Sequence, residues 1–163
     1  MGFKKIFFGM VFLFDFRIQS IDILPDFIGF IFIFLGLSEL CHIHQKFNMA
    51  KTLSLILIFI SIPDVYDLTI TNPLVFLFSL GYTILFLFFI YYLFTGIRDI
   101  AIEIGNMILA NRANITWVLA LAYSLSFYLV IFIPFLIFIY FIFGIAVFVL
   151  ELTTIHLAGS TII

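Results

Sequence analysis

Between Arg112 and Glu151 the chain carries no Asp, Glu, Lys or Arg for 38 residues, and between Asp67 and Arg98 for another 30. A bilayer core of about 30 Å is crossed by a helix of roughly 20 apolar residues, so each uncharged run is membrane-sized. A water-soluble fold of 163 residues must keep a polar skin. With 66% hydrophobic and 10% charged residues, and a mean hydropathy of +1.37, this chain cannot supply one. The expected class is all-α: a polytopic transmembrane helical bundle of five to six helices, with residues 1–163 forming a single integral membrane domain.

The 25 Phe residues fall mainly in mixed Phe/Ile/Leu runs, as AT-biased coding of membrane helices produces, with an aromatic ligand cage as the other reading. A net charge of −2 and the absence of any long Lys/Arg run exclude a nucleic-acid partner. One cysteine, Cys41, excludes an intramolecular disulfide and a multi-cysteine metal cage. Lys4-Lys5 ahead of an apolar run imitates a signal peptide, but Asp15 and Arg17 follow where a small-residue cleavage site would stand. The segment is read as a retained first membrane segment, short for a full span, that either crosses with Asp15 and Arg17 at the far interface or enters only part way.

The segments predicted along the chain are 6–16, then 25–40, opened by Pro25-Asp26, where proline suits the first turn and a carboxylate the positive helix end. A polar stretch, 41–51, leads to 49–62, ended by Pro63-Asp64, and a clean segment covers 73–95. Ile97, Ile100, Ala101, Ile104, Met107 and Ile108 form a stripe that Arg98, Asp99, Glu103 and Asn106 avoid. That pattern predicts an amphipathic surface helix over 96–111, with an extension of the preceding helix as the second reading. The 38-residue gap would reach about 57 Å as one helix, so two spans broken near Ile133-Pro134 are expected, with one kinked helix as the alternative.

Threading these segments from an inside N-terminus places Lys4, Lys5, Lys46, Lys51, Arg98 and Arg112 inside and only Arg17 outside, which predicts cytoplasmic termini. Gly36-Leu37-Ser38-Glu39-Leu40 is echoed by Gly96-Ile97-Arg98-Asp99-Ile100, and Ile62-Pro63 by Ile133-Pro134. Duplication of a helix pair around 25–63 and 85–134 would produce this, as would chance within a small membrane alphabet.

Two groups could carry chemistry. The acids Asp22, Asp26, Asp64 and Asp67 fall on the outer side, where grouped carboxylates can hold a hard cation or attract a cationic solute. The bland alternative is ordinary loop carboxylates, with Arg17 pairing to Asp15, Asp22 or Asp26. On the inner side Glu39 and His42, spaced i, i+3, could contribute to a metal site, although bundle di-metal sites use two such elements and there is one here. Glu39 and Asp99 are expected to find basic partners among Lys46, Lys51, Arg98 and Arg112. Glu151 is expected to mark the end of the last helix near Leu150, with a buried functional acid as the other reading. No nucleophile motif, zinc-protease motif or phosphate loop is present, and no cofactor is expected.

The stretch Phe14-Asp15-Phe16 with Ile21-Asp22-Ile23-Leu24-Pro25-Asp26-Phe27-Ile28-Gly29-Phe30 resembles small uncharacterised bacterial multi-pass membrane proteins. Those proteins carry an Ile-Asp-Leu-Leu-Pro-Asp-Phe-Ile-Gly-Tyr type element before the second helix. The resemblance covers chiefly residues 4–40, and Phe30 departs from it by replacing the tyrosine. It implies residence in the bacterial cell membrane and no particular activity. The expected role is a non-enzymatic accessory, scaffold or sensor subunit whose partners are the lipid bilayer and a second copy or a membrane complex. A small transporter or channel subunit for a cation or cationic solute is the alternative, and an inner-face metal-dependent enzyme the third.

Overall fold

A computed structural model describes residues 1–14, 17–18, 21–22, 25–62 and 73–162. Among them are six helices: α1 (Gly2–Phe12), α2 (Asp26–Leu40), α3 (Gln45–Ser61), α4 (Pro73–Glu103), α5 (Met107–Phe132) and α6 (Ile137–Thr161). A two-residue antiparallel pair, β1 (Arg17–Ile18) and β2 (Ile21–Asp22), sets Arg17 opposite Asp22. The helical class is as expected. The chain divides into two compact units, Met1–Leu93 and Phe94–Ile163.

In the first unit α1 and α2 form an antiparallel pair held by four glycines. A Cβ on Gly9 would lie 2.5 Å from the Gly29 carbonyl oxygen, and one on Gly36 would lie 2.6 Å from that of Gly2. Small residues at such crossings let two backbones approach closely. Glycines seven residues apart on each helix repeat that approach two turns along. Ile6, Met10, Ile33 and Leu37 are fully enclosed beside them. Helix α3 starts at Gln45, earlier than the predicted 49, because His44 caps it: the His44 Nδ1 accepts a hydrogen bond of 3.2 Å from the Lys46 N–H. Phe30 is fully buried with its ring edge-on to Phe86 and Phe89 of α4.

In the second unit the expected surface helix over 96–111 is not formed. Residues up to Glu103 continue α4, and those from Met107 open α5. The break is a Schellman motif: the Asn106 N–H donates to the Ala101 carbonyl at 2.8 Å, the Gly105 N–H to that of Ile102 at 3.0 Å, and Gly105 has φ +76°. The Asn106 side chain then caps α5 by accepting from the Leu109 N–H at 3.0 Å. The apolar stripe is split accordingly, with Ile97, Ile100 and Ala101 buried while Ile104, Met107 and Ile108 are exposed.

The long uncharged run does form two helices, and a 3-10 turn at Pro134–Leu136 separates them where the proline withholds an N–H. Helices α5 and α6 run antiparallel. Tyr123 stacks on Tyr140 at 4.6 Å and fits against Gly144, where a Cβ would meet its hydroxyl at 2.8 Å. The expectation that α6 ends near Leu150 is corrected: the helix continues to Thr161 and carries Glu151 in its interior. A single carboxyl does not interrupt the backbone ladder, since Glu is itself among the better helix formers.

Candidate functional site

The predicted aspartates are only partly placed. Asp26 opens α2 and accepts a hydrogen bond of 3.1 Å from the Tyr82 hydroxyl on α4. Asp22 lies in β2, opposite Arg17 in the strand register. Asp64 and Asp67 lie outside the described residues. The phenol's hold on Asp26 fixes one carboxylate at the start of α2, where the helix dipole also favours negative charge.

Glu39 and His42 are not brought together as a ligand pair. Lys5 Nζ on α1 donates to Glu39 Oε1 at 2.5 Å, and the Lys5 ammonium holds the Glu39 carboxyl below the ordinary carboxylate range. His42 is exposed in the turn after α2. Among the described residues no group of three or more His, Cys, Asp and Glu side chains is positioned to hold a metal. The basic partner of Glu39 is thus Lys5 rather than Lys46 or Lys51. Lys51 instead lies over the Phe34 ring, 5.3 Å from its centroid. Asp99 pairs with its neighbour Arg98 at 2.9 Å, as expected of it.

A denser polar group lies in the second unit, where the C-terminal turns of α4 and α6 meet the first turns of α5. Arg98 Nη1 and Trp117 Nε1 both donate to the Asn114 side-chain oxygen, at 3.3 and 3.2 Å. Arg112 Nη2 donates to Thr153 Oγ1 at 2.7 Å, while its Nε is buried without a hydrogen-bond partner. Thr116 and Thr154, both fully enclosed, lie 3.0 Å apart, hydroxyl to hydroxyl. Thr116 also reaches the Arg112 carbonyl at 2.8 Å and Thr154 the Leu150 carbonyl at 2.7 Å.

Glu151 stands one turn before Thr154 on α6. It is only 6% exposed, and among the described residues no hydrogen bond or ion pair reaches it. An uncompensated carboxylate in such a place is expensive, which makes it the most unusual side chain of the second unit. Sequence reasoning weighs Glu151 but overlooks Asn114 and Thr116. A signal exists: Ala113, Thr116 and Ala120 on α5, and Val147, Glu151, Thr154 and Ala158 on α6, repeat at helical spacing as buried small or polar positions.

A surface depression of about 620 Å³ is lined by Ile104, Gly105, Asn106, Met107, Ile108 and Thr161. None of these lining side chains is ionisable. No family model, curated protein or solved structure matches the chain.

Proposed function

We propose that this chain is a multi-pass protein of the bacterial cell membrane, acting as a non-enzymatic accessory, scaffold or sensor subunit. The observation that carries the reading is the combination of length, hydropathy and exposure in two helices. The most apolar 18-residue stretches of Leu77–Glu103 and Ile137–Thr161 have mean hydropathies of 2.0 and 2.2, yet only 22% and 17% of those stretches are buried within the chain. Core helices of a soluble protein are enclosed, whereas these present Phe78, Ile84, Phe88, Phe138, Phe141 and Ile142 outward. Lipid satisfies such a surface, and helices leave no backbone group unbonded within it. Helix α5, 26 residues long and antiparallel to α6, has the reach to cross with it.

The accessory role is supported by the character of the polar groups. Lys5 with Glu39, Arg98 with Asn114, and Tyr82 with Asp26 are pairings that fix helices together rather than a nucleophile, base and orienter. The Ile-Asp-Ile-Leu-Pro-Asp element and the basic residues assigned to the inner side support a bacterial inner membrane with cytoplasmic termini. A reporter inserted at Gly105 is expected to be active in the cytoplasm and one within residues 63–72 outside it. Release of the protein by alkaline carbonate would end the membrane reading. A gentle-detergent extract is expected to contain a stoichiometric complex with a second copy or another membrane protein, and a lone monomer would remove the accessory role.

A second reading, a small transporter or channel subunit for a cation, is favoured by one observation: the buried acid Glu151 within a candidate span. Proteoliposomes would then show a cation-dependent flux, reduced by Asp26→Asn if the outer acids attract the solute.

A further inference from the structure

We propose that Glu151 is an intramembrane proton-binding site. The inference rests on the reading of α6 as a membrane span. On that reading Glu151 lies roughly 15 Å along the helix from its C-terminal end at Thr161, inside the hydrocarbon thickness.

The groups around it are already committed. Arg112 on α5 gives its Nη2 to Thr153, and among the described residues it pairs with no carboxylate. On the last turns of α4, Arg98 holds Asp99 and Asn114, and Glu103 is exposed. His156 on α6 is exposed, and Tyr123 and Tyr140 stack on each other toward the opposite end of the hairpin. No counter-charge among the described residues therefore neutralises an ionised Glu151, and a proton does so with one oxygen. A metal cation fits less well. Hard cations take six or more oxygen ligands, and no cluster of acids and histidines accompanies this one among the described residues.

The nearby hydroxyls of Thr116 and Thr154 are committed to one another and to their own helices. Thr116 and Thr154 make three short oxygen contacts: one with each other and one each with the Arg112 and Leu150 carbonyls. Two hydroxyls carry two protons, so only two of the three contacts hold a hydrogen bond at a time. Both protons are thus committed away from Glu151, which exchanges its own with water. The step is reversible: the Glu151 carboxylate and a hydronium ion give the carboxylic acid and water. No carbon bond or oxidation state changes.

The test is modification by dicyclohexylcarbodiimide of the full chain in vesicles of phosphatidylethanolamine and phosphatidylglycerol, mapped by mass spectrometry. This lipid-soluble reagent takes the proton of an un-ionised carboxyl and adds its carboxylate, then rearranges to a stable N-acylurea. One adduct at Glu151 is expected, its rate falling by up to about tenfold per pH unit on the alkaline side of the titration. Glu151→Gln removes the adduct and Glu151→Asp retains it. Because the pH profile is read on the unmutated protein, the test survives a variant that misfolds. A lipid-phase diazirine probe is applied in parallel. If it marks α6 while Glu151 stays unmodified, or is modified at a rate independent of pH, the proton site is overturned and the span stands. If it leaves α6 unmarked, the span reading fails and takes the proton site with it.

Discussion

Gly9 on α1 and Gly29 on α2 face each other so closely that a methyl group on either would press on the other's carbonyl oxygen, at 2.5 Å and 2.7 Å. The obstacle is backbone, which no rotamer change can move aside. Gly9→Ala and Gly29→Ala are each expected to destabilise the protein by about 1–3 kcal/mol, the usual cost of overpacking. Gly81 on α4 has open space around it, so Gly81→Ala should instead gain up to about 1 kcal/mol of helix propensity. Denaturant titration of the three variants in one detergent checks the contrast. Equal effects would mean that the close approach does not hold the pair together.

The ion pair between Lys5 and Glu39 joins the same two helices near one end. Its geometry is good, but both side chains are about 40% exposed, so solvent and salt screen it. Lys5 lowers the Glu39 carboxyl below its ordinary value, so the pair's stabilisation is fully present above the unfolded carboxyl's titration range. It is lost as the pH falls through the lowered, folded value. The wild-type protein should therefore be more stable than Glu39→Gln at neutral pH, with the difference closing in acid and shrinking in high salt. Melting curves in detergent across pH settle this. A difference that persists below the folded titration would assign the effect to packing.

Gly105 is a conformational requirement rather than a packing one. A Cβ there would meet nothing within 4 Å, but φ is +76°. Gly105→Ala should cost roughly 1–2 kcal/mol by forcing an L-residue into the left-handed region. Asn106→Ala should cost about 1 kcal/mol through loss of the α5 cap. Gly105→Asn should recover part of the glycine's loss, since Asn tolerates that region better. Equilibrium unfolding of the three variants gives the order, and a Gly105→Ala protein as stable as wild type would refute the Schellman turn.

What is legible in the sequence follows from the range of the interactions. Uncharged runs are local, and they locate the bulk of α4, α5 and α6, with Pro134 marking the break. The Gly105-Asn106 signal is local too, but the apolar stripe from Ile97 to Ile108 outweighs it on periodicity alone, although Gly105 cuts that stripe in two. Glu151 reads as a helix boundary because its charge ends the apolar run, whereas the helix ladder continues past it to Thr161. Lys5 and Glu39 are 34 residues apart, and their meeting depends on how α1 lies on α2. The seven-residue glycine spacing on both helices carries that register. Thr116 and Thr154 likewise meet only once α5 and α6 have folded back on each other.

That buried pair supports a further prediction. Each threonine also bonds a carbonyl of its own helix, so removing one hydroxyl leaves the other still satisfied. Thr116→Val and Thr154→Val keep the side-chain shape, and hydrogen bonds between membrane helices average about 0.6 kcal/mol. Each single substitution should cost about that much or less. The double substitution should cost less than the two singles together, because the first has already removed the inter-helix bond that the second would break. Unfolding free energies for the four members of the cycle test the claim. Strictly additive losses would show that the two hydroxyls act independently and that no proton is shared between α5 and α6.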